Sequence, residues 1–381
     1  MAKIALVSDV HLGTRQYGIK ERYDDFLTAF KNVGKSIKDH KVDMVVIGGD
    51  LFDSPRPDAN SVLQAQYVVS GLLDAGIDVI GIDGNHDLSD CGWLRLVGVN
   101  ALFDGVPALE RHGVKIVGIN YKNGRDLIEE IQRLIDEGIK TDILVAHFAL
   151  AEMNGGGSAD TCVRELSPML DKLGVKAVLM GHVHIPDCRK WNGVLYVNPG
   201  STEMKSMNEP QEKYYFILDT DTWEAVPVPI VTREMRTVEV QDEVALKKLQ
   251  DDLEAESQRM VDVPNGINGV RRPFYHLIVD DSIDDAFKRT AKIVHDTGAL
   301  ARIVMRSSRA RDLAPVVDRK EGVATLESAI EARFPKGSDE AKLTAAMLHS
   351  PEPSSIHLIC ERYMEGYGKE EGKDGKIKKE E

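Results

Sequence analysis

A helix-covered α/β fold follows from two patterns in this chain of 381 residues. Short apolar runs closed by Gly, Asp or Asn recur at Ile4–Val7, Met44–Ile47, Val79–Ile82, Ile143–Ala146 and Ala177–Met180, and runs of this kind read as buried parallel strands. Between them apolar residues return at helical spacing, so strand and helix alternate. Beyond His184 the pattern turns to extended segments, and two sheets packed face to face with helices outside fit both halves of the sequence.

Each element has its own signal. Ile4–Val7 delivers Asp9 and His11, and Phe26, Phe30, Val33 and Ile37 then form one helical stripe. Met44–Ile47 delivers Asp50. A helix over Gln64–Ala75 precedes Val79–Ile82, which presents Asn85 and His86. Leu127, Ile128, Ile131, Leu134 and Ile135 make a further stripe before the strand into His147. Asn154–Ser158 reads as a glycine-rich lid or surface loop, since it neither follows a strand directly nor carries the lysine of a phosphate-binding loop. Ala177–Met180 leads to His182 and His184. Val194–Val197 runs into the tight turn Asn198-Pro199-Gly200-Ser201, and Tyr214–Leu218 and Ala225–Val231 complete the strands.

A boundary is expected at Thr232–Asp242, which places a first domain at 1–231. A small α+β module follows at 243–312: helix Glu243–Met260, loop Pro264–Gly269, strand Phe274–Val279, helix Ile283–Thr297 and strand Ala301–Met305. Val323, Leu326, Ile330 and Phe334 lie at helical spacing, and Leu343 and Met347 mark a second short helix, which gives a helical pair over 322–349. An apolar helix pair without a sizeable core of its own either docks on a partner helix or groove or packs on the neighbouring module, and the first is the expectation here. The charged, Gly-rich stretch 366–381 has the composition of a disordered tail.

Composition restricts the function classes. With 29% charged and 42% apolar residues the chain is an ordinary globular protein. No apolar run approaches the roughly 20 residues that span a bilayer, and the first strand begins too early for a signal peptide. Cys91, Cys162, Cys188 and Cys360 have no paired spacing, so a reduced cytoplasmic setting is expected. The net charge of −14, from 48 basic and 62 acidic residues, opposes a whole-surface grip on nucleic acid, which depends on neutralising phosphates. Part of that acidity is metal-ligand acidity, which two divalent ions would offset by about +4. Arg15, Lys20, Arg22 and Lys205 are positioned to line the approach to such ions, or else are solvated charges.

Five clusters carry the chemistry: Asp9 and His11; Asp50; Asn85 with His86; His147; and His182 with His184. A single D-x-H or G-N-H-D would read as a loop with a capping Asp; five such clusters, most of them after a strand, read as a metal site, because ligands of open α/β sheets gather beyond the carboxyl ends of strands. His40, His112, His276, His295, His349 and His357 lie outside the clusters and read as ordinary surface or core histidines. Imidazole, carboxylate and amide donors without cysteine point to Mn, Fe or Zn. Asp9, His11, Asp50, Asn85, His147, His182 and His184 are too many donors for one ion. Two ions sharing Asp50 would use them, and two ions about 3.5–4 Å apart serve phosphoryl displacement.

The series D-x-H-L-G, G-D-L-F-D, G-N-H-D, a lone His after a strand and G-H-x-H resembles the calcineurin-like metallophosphoesterase superfamily over Met1–Leu218. Within it, the opening His-Leu-Gly, the Arg22–Phe26 helix start, Arg56-Pro57 and the downstream module resemble the SbcD branch of DNA double-strand-break-repair nucleases, bacterial and phage. The resemblance implies a four-layer α-β-β-α sandwich with a small capping domain that selects DNA and a C-terminal helical pair that binds the coiled coil of an SbcC-type ABC ATPase. It places Asp9, His11, Asp50 and His184 on one ion and Asp50, Asn85, His147 and His182 on the other, with Mn(II) the expected metal and Fe or Zn the alternatives. His86 becomes the general acid and Asp87 its orienting partner. Asp53 stands where many members carry His, so it is expected beside the ligands rather than as a second catalytic imidazole. Ser201 and Arg15 become candidate substrate contacts or supports. The implied activity is hydrolysis of DNA phosphodiesters, exonucleolytic or on single strands endonucleolytic, by a chain that also forms a homodimer. A stand-alone phosphodiesterase or phosphatase for nucleotides or small phosphoesters is the competing class; the capping module and helical pair argue against it.

Overall fold

The computed structural model of the chain describes residues 2–102, 108–261 and 271–307. Met1–Met305 form one compact unit. The expected helical pair at 322–349 and tail at 366–381 lie outside the described residues, as does the end of the 243–312 module.

In chain order the elements are β1 (Lys3–Val7), α1 (Lys20–Asp39), β2 (Met44–Ile47), α2 (Ala59–Leu73), β3 (Asp78–Gly81), α3 (Trp93–Leu96), β4 (Asn100–Ala101), β5 (Leu109–Arg111), β6 (Val114–Ile119) and α4 (Gly124–Asp136). They continue with β7 (Ile143–His147), α5 (Val163–Leu173), β8 (Ala177–Gly181), β9 (Asp187–Trp191), β10 (Val194–Asn198), β11 (Lys213–Asp219) and β12 (Glu224–Ile230). The last group is β13 (Met235–Val240), α6 (Glu243–Val261), β14 (Phe274–Asp280), α7 (Ala286–Thr297) and β15 (Leu300–Arg306).

Two six-stranded sheets, ordered β12-β11-β1-β2-β3-β4 and β5-β6-β7-β8-β10-β9, form the main scaffold. Their centres are parallel, β1 to β4 in one and β6, β7, β8 and β10 in the other, and the added strands β11, β12, β5 and β9 each pair antiparallel with a neighbour. Successive strand residues point to opposite faces, which explains the unbroken apolar runs. Ile4, Leu6, Met44 and Val46 meet Ile143, Val145, Ala177 and Leu179 between the sheets. Ala5, Val7, Val45 and Ile47 pack outward on Phe30, Val33 and Ile37 of α1 and Val69 and Leu72 of α2. Leu144, Ala146, Val178 and Met180 pack on Leu127 and Ile131 of α4 and Leu166 and Leu170 of α5. The α-β-β-α sandwich expected from the motifs is the architecture observed.

Some elements escaped the sequence reading. β9 (Asp-Cys-Arg-Lys-Trp) is a polar edge strand, and β13 (Met-Arg-Thr-Val-Glu-Val) alternates charge with apolar residues. β13 pairs in parallel with β14, so the small three-stranded sheet β13-β14-β15 starts at Met235, ahead of residue 243. Val240, Leu246, Leu249, Leu253, Leu277 and Val279 give this module its own core with α6 and α7.

A buried ionic cluster ties the module to the sandwich. Asp25, on α1, is 1% exposed and receives Arg22 at 2.6 Å, Arg233 at 2.6 and 2.9 Å, and Arg271 at 2.7 Å. Arg22, itself fully buried, also donates to Gln16, Glu203 and the Met204 carbonyl. Tyr17, in the left-handed region at φ 59°, stacks on Phe274 and carries the Arg302 guanidinium 4.4 Å from its ring centre. Arg271 is committed to Asp25, Arg272 donates to the Gly298 carbonyl and Arg302 covers Tyr17, so these three are internal contacts; Arg309 and Arg311 lie outside the described residues.

Candidate metal centre

The loops beyond β1, β2, β3, β7 and β8 converge on one rim. Asp9 (φ 52°), His11 (φ 50°), Asp50 (φ 53°) and His182 (φ 89°) all adopt left-handed backbone, a conformation costly for residues with a side chain and concentrated at functional sites. It turns each chain sharply after its strand. The backbone is also packed closely: a Cβ on Gly84 would lie 2.2 Å from Asp50 Oδ1, and one on Gly49 would lie 2.4 Å from His147 Nδ1. Only glycine at these positions leaves room for the ligands.

The seven predicted ligands are brought together. His11 Nε2 lies 3.1 Å from His184 Nε2, and Asp9 Oδ1 is 3.9 Å from the first and 3.6 Å from the second. Asn85 Oδ1 lies 3.2 Å from His147 Nε2 and 2.9 Å from His182 Nδ1. Asp50 Oδ2 stands between the two groups, 3.7 Å from His11 and 3.4 Å from His147. Its other oxygen accepts the His86 backbone N–H at 2.8 Å, so only Oδ2 faces the imidazoles. Asp9 also reaches both sides, at 4.0 Å from His147 Nε2.

The donor set fits metal ions because the far nitrogens of three imidazoles are already occupied. His147 Nδ1 meets the Gly48 carbonyl at 2.8 Å, His184 Nδ1 meets Glu209 Oε1 at 2.8 Å, and His11 Nδ1 lies 3.4 Å from Asp53 Oδ1. A carbonyl or carboxylate on one ring nitrogen places the proton there and leaves the other as a ligand. Burial lowers the pKa of His147, but Asp50 and Asp9 outweigh it and push the imidazole up to about 9. Carboxylates that draw a proton this strongly will also draw a cation. A third group, His11, Asp53 and His86, is close enough to compete for an ion.

The surrounding residues modify the sequence reading. His86 Nδ1 lies 3.0 Å from the Asp53 carbonyl, and its ring stands edge-on to His11 at 4.9 Å. Asp87 does not orient His86. Its carboxylate accepts backbone N–H groups from Gly84 and Leu51 at 2.6 Å and from Phe52 at 3.3 Å, which fixes the G-N-H-D turn against the Asp50 loop. Burial, with Asp50 and Asp83 nearby, pushes that carboxyl up to about 8. Ser201 is fully buried and donates to Glu209 at 2.9 Å, so it cannot touch substrate; it supports the His184 partner instead. Arg15 has Asp58 at 3.9 Å and the Tyr23 ring as its neighbours, and its side chain is otherwise solvated.

Asp53 is where the sequence placed it, beside the ligands. Burial raises its pKa, but His11 and Lys205 outweigh burial and hold it at about 2. Three residues were missed. Glu209 orients His184 and is itself held by buried Lys213 at 2.6 Å. Tyr121 stacks on His182 at 5.8 Å. Gln16 holds the Lys205 carbonyl at 2.7 Å. None has a spacing signal, since each reaches the site from a separate loop.

Residues 2–186 match the family model of the calcineurin-like phosphoesterases. The "DNA double-strand break repair protein Mre11" of Aeropyrum pernix is 30% identical over 267 residues, covering 63% of this chain and 64% of that protein. Its namesake from Haloferax volcanii is 32% identical over 247 residues, covering 62% of this chain and 53% of that protein. The chain therefore spans less than two thirds of the length of these relatives. A solved structure from Thermus thermophilus aligns with 60% of this chain and 98% of its own at a TM-score of 0.44 and 12% identity. With five motifs in order on one rim of the sandwich, residues 2–186 are a calcineurin-like metallophosphoesterase domain with Mre11-like relatives.

Proposed function

We propose that this chain is the nuclease subunit of a DNA-end-processing complex, hydrolysing DNA phosphodiesters at a two-metal centre. The observation that carries this reading is the pair of donor groups on either side of Asp50 Oδ2, with His11 at 3.7 Å and His147 at 3.4 Å. Asp9, His11, Asp50 and His184 would hold one ion, and Asp50, Asn85, His147 and His182 the other, with Mn(II) the favoured metal. When bound, two such ions activate the attacking water and neutralise developing charge on the phosphoryl oxygens. The relatives named for DNA double-strand break repair support DNA as the substrate.

His86 is the general acid. A carbonyl can only accept, so the contact with the Asp53 carbonyl puts a proton on Nδ1 and leaves Nε2 to carry the transferable one. The side chain is 38% exposed, which keeps it open to a substrate's leaving oxygen. Imidazole is the side chain most often used for this task, and general acid catalysis contributes typically 10²–10⁴-fold.

The module from Met235 onward acts as the DNA-selecting cap, and the 322–349 segment as the docking point for an SbcC-type ABC ATPase with a coiled coil. Homodimerisation and a cytoplasmic setting belong to the same reading. Among the described residues no helix is long and apolar enough to cross a membrane.

Mn-dependent degradation of end-labelled linear duplex and single strands tests the proposal, with His86→Ala alongside. Cleavage is expected in the parent, and a loss on the order of 10²–10⁴-fold in the variant with both ions retained. No cleavage of either DNA, even with the ATPase partner, and turnover of small phosphodiesters instead would move the chain to the stand-alone class.

A further inference from the structure

Lys205 occupies a position that neither the motifs nor the metal ligands explain. Its ammonium lies 2.7 Å from Asp53 Oδ1 and 3.1 Å from His11 Nδ1, on the side of the His11 ring away from the donor groups. The same Asp53 oxygen is 3.9 Å from His86 Nδ1, so Lys205 stands on the rim that carries the general acid. Its side chain is 22% exposed and opens towards solvent.

The backbone of this one residue is held at both ends by side chains. Gln16 donates to its carbonyl at 2.7 Å, and its N–H reaches Glu209 Oε2 at 3.2 Å. Gln16 is in turn fixed by Arg22 at 2.8 Å, and Arg22 also holds the preceding Met204 carbonyl at 2.8 Å. A surface lysine that merely balanced one carboxylate would not need such support. Anchoring the stem of a flexible cation sets where its charge can reach.

The present partners of the ammonium are also poor ones. Among the described residues no hydrogen bond of good geometry reaches Asp53 Oδ1, so the 2.7 Å contact is one of charge rather than of direction. If His11 Nε2 ligates an ion, the ring proton sits on Nδ1, which lies 3.4 Å from Asp53 Oδ1. An N–H cannot accept from an ammonium, so Lys205 would then lose its His11 partner, and among the described residues its ammonium would keep Asp53 as its ion-pair partner.

We propose that Lys205 is the phosphate-binding cation of this site, its ammonium contacting a non-bridging oxygen of the scissile phosphate beside His86. Asp53 then has two tasks: it holds the His11 tautomer and it keeps Lys205 at the rim. This rests on the metallophosphoesterase reading of the site and adds to it the residue that recognises the phosphate group itself. Arg22 joins the same support to Asp25, which also receives Arg233 and Arg271, so the contact that seats the cap module also seats the Lys205 loop.

The test is calorimetric titration of inorganic phosphate into the Mn-loaded full chain, for the parent, Lys205→Gln and Lys205→Arg, with metal content measured on each sample. The expected result is two ions in all three proteins, phosphate affinity lower by about 10–100-fold in Lys205→Gln, the value of one charge-assisted hydrogen bond, and most of the affinity restored in Lys205→Arg. Parent-like phosphate binding by Lys205→Gln would overturn the proposal, leaving Lys205 as a counter-charge for Asp53. So would loss of metal from Lys205→Gln, which would make it a prop for His11, or absence of phosphate binding by the parent. Failure of the parent to cleave DNA would sink the nuclease reading alone, because the phosphate titration is independent of the substrate that carries the phosphate.

Discussion

Replacing Asp25 by alanine is expected to cost about 3–5 kcal/mol of stability, the usual penalty for breaking a buried ion pair by removing one partner. Asp25 is 1% exposed and Arg22 is fully buried, while Arg233 and Arg271 converge on the same two oxygens. Alanine removes the carboxylate and leaves three guanidinium groups facing one another. Glu203 cannot compensate, because it already meets Arg22 at 3.2 Å and burial pushes its own carboxyl up. The urea midpoint of the variant checks this. A change within about 0.5 kcal/mol, as for a substitution on an open surface, would mean that the cluster is solvated and does not seat the module.

Asp50→Asn is expected to have the largest effect on function with the smallest effect on fold. The amide oxygen can still accept the His86 N–H, now 2.8 Å from Oδ1, so the turn survives. The amide nitrogen then faces His11 and His147 in place of the negative Oδ2. With one charge lost between the two donor groups, both ions should bind more weakly. The loss should exceed the roughly 10–100-fold typical of removing an outer partner of a ligand. Metal content after dialysis, read beside the melting temperature, separates this from misfolding. Retention of two ions would show that Asp9, which also reaches both groups, is the shared carboxylate.

The strands and their metal motifs were legible because a strand buried on both faces must be apolar throughout, and a polar residue at its end then stands out. Ile4–Val7 followed by Asp9 and His11 is one such case, and Ile143–Ala146 followed by His147 is another. β9 and β13 were hidden because one face of each meets solvent, which breaks the run. The supporting residues were hidden for a different reason. Glu209, Gln16 and Tyr121 come from separate connections between the strands and helices, and only the folded chain brings them to the ligands. The resemblance misassigned one partner and left one role open between contact and support. Asp87 is adjacent to His86 in sequence, yet its carboxylate turns to the backbone of the Asp50 loop. Ser201 follows a Pro-Gly turn of a kind that approaches phosphates, yet it is sealed beneath Glu209 and Lys213.

The most direct test of the two-metal account is anomalous scattering from crystals of the Mn-loaded chain. The account predicts two peaks on either side of Asp50 Oδ2, one among Asp9, His11 and His184 and the other among Asn85, His147 and His182. A single peak within the competing group of His11, Asp53 and His86 would contradict it, and with it the role given to His86 as an acid.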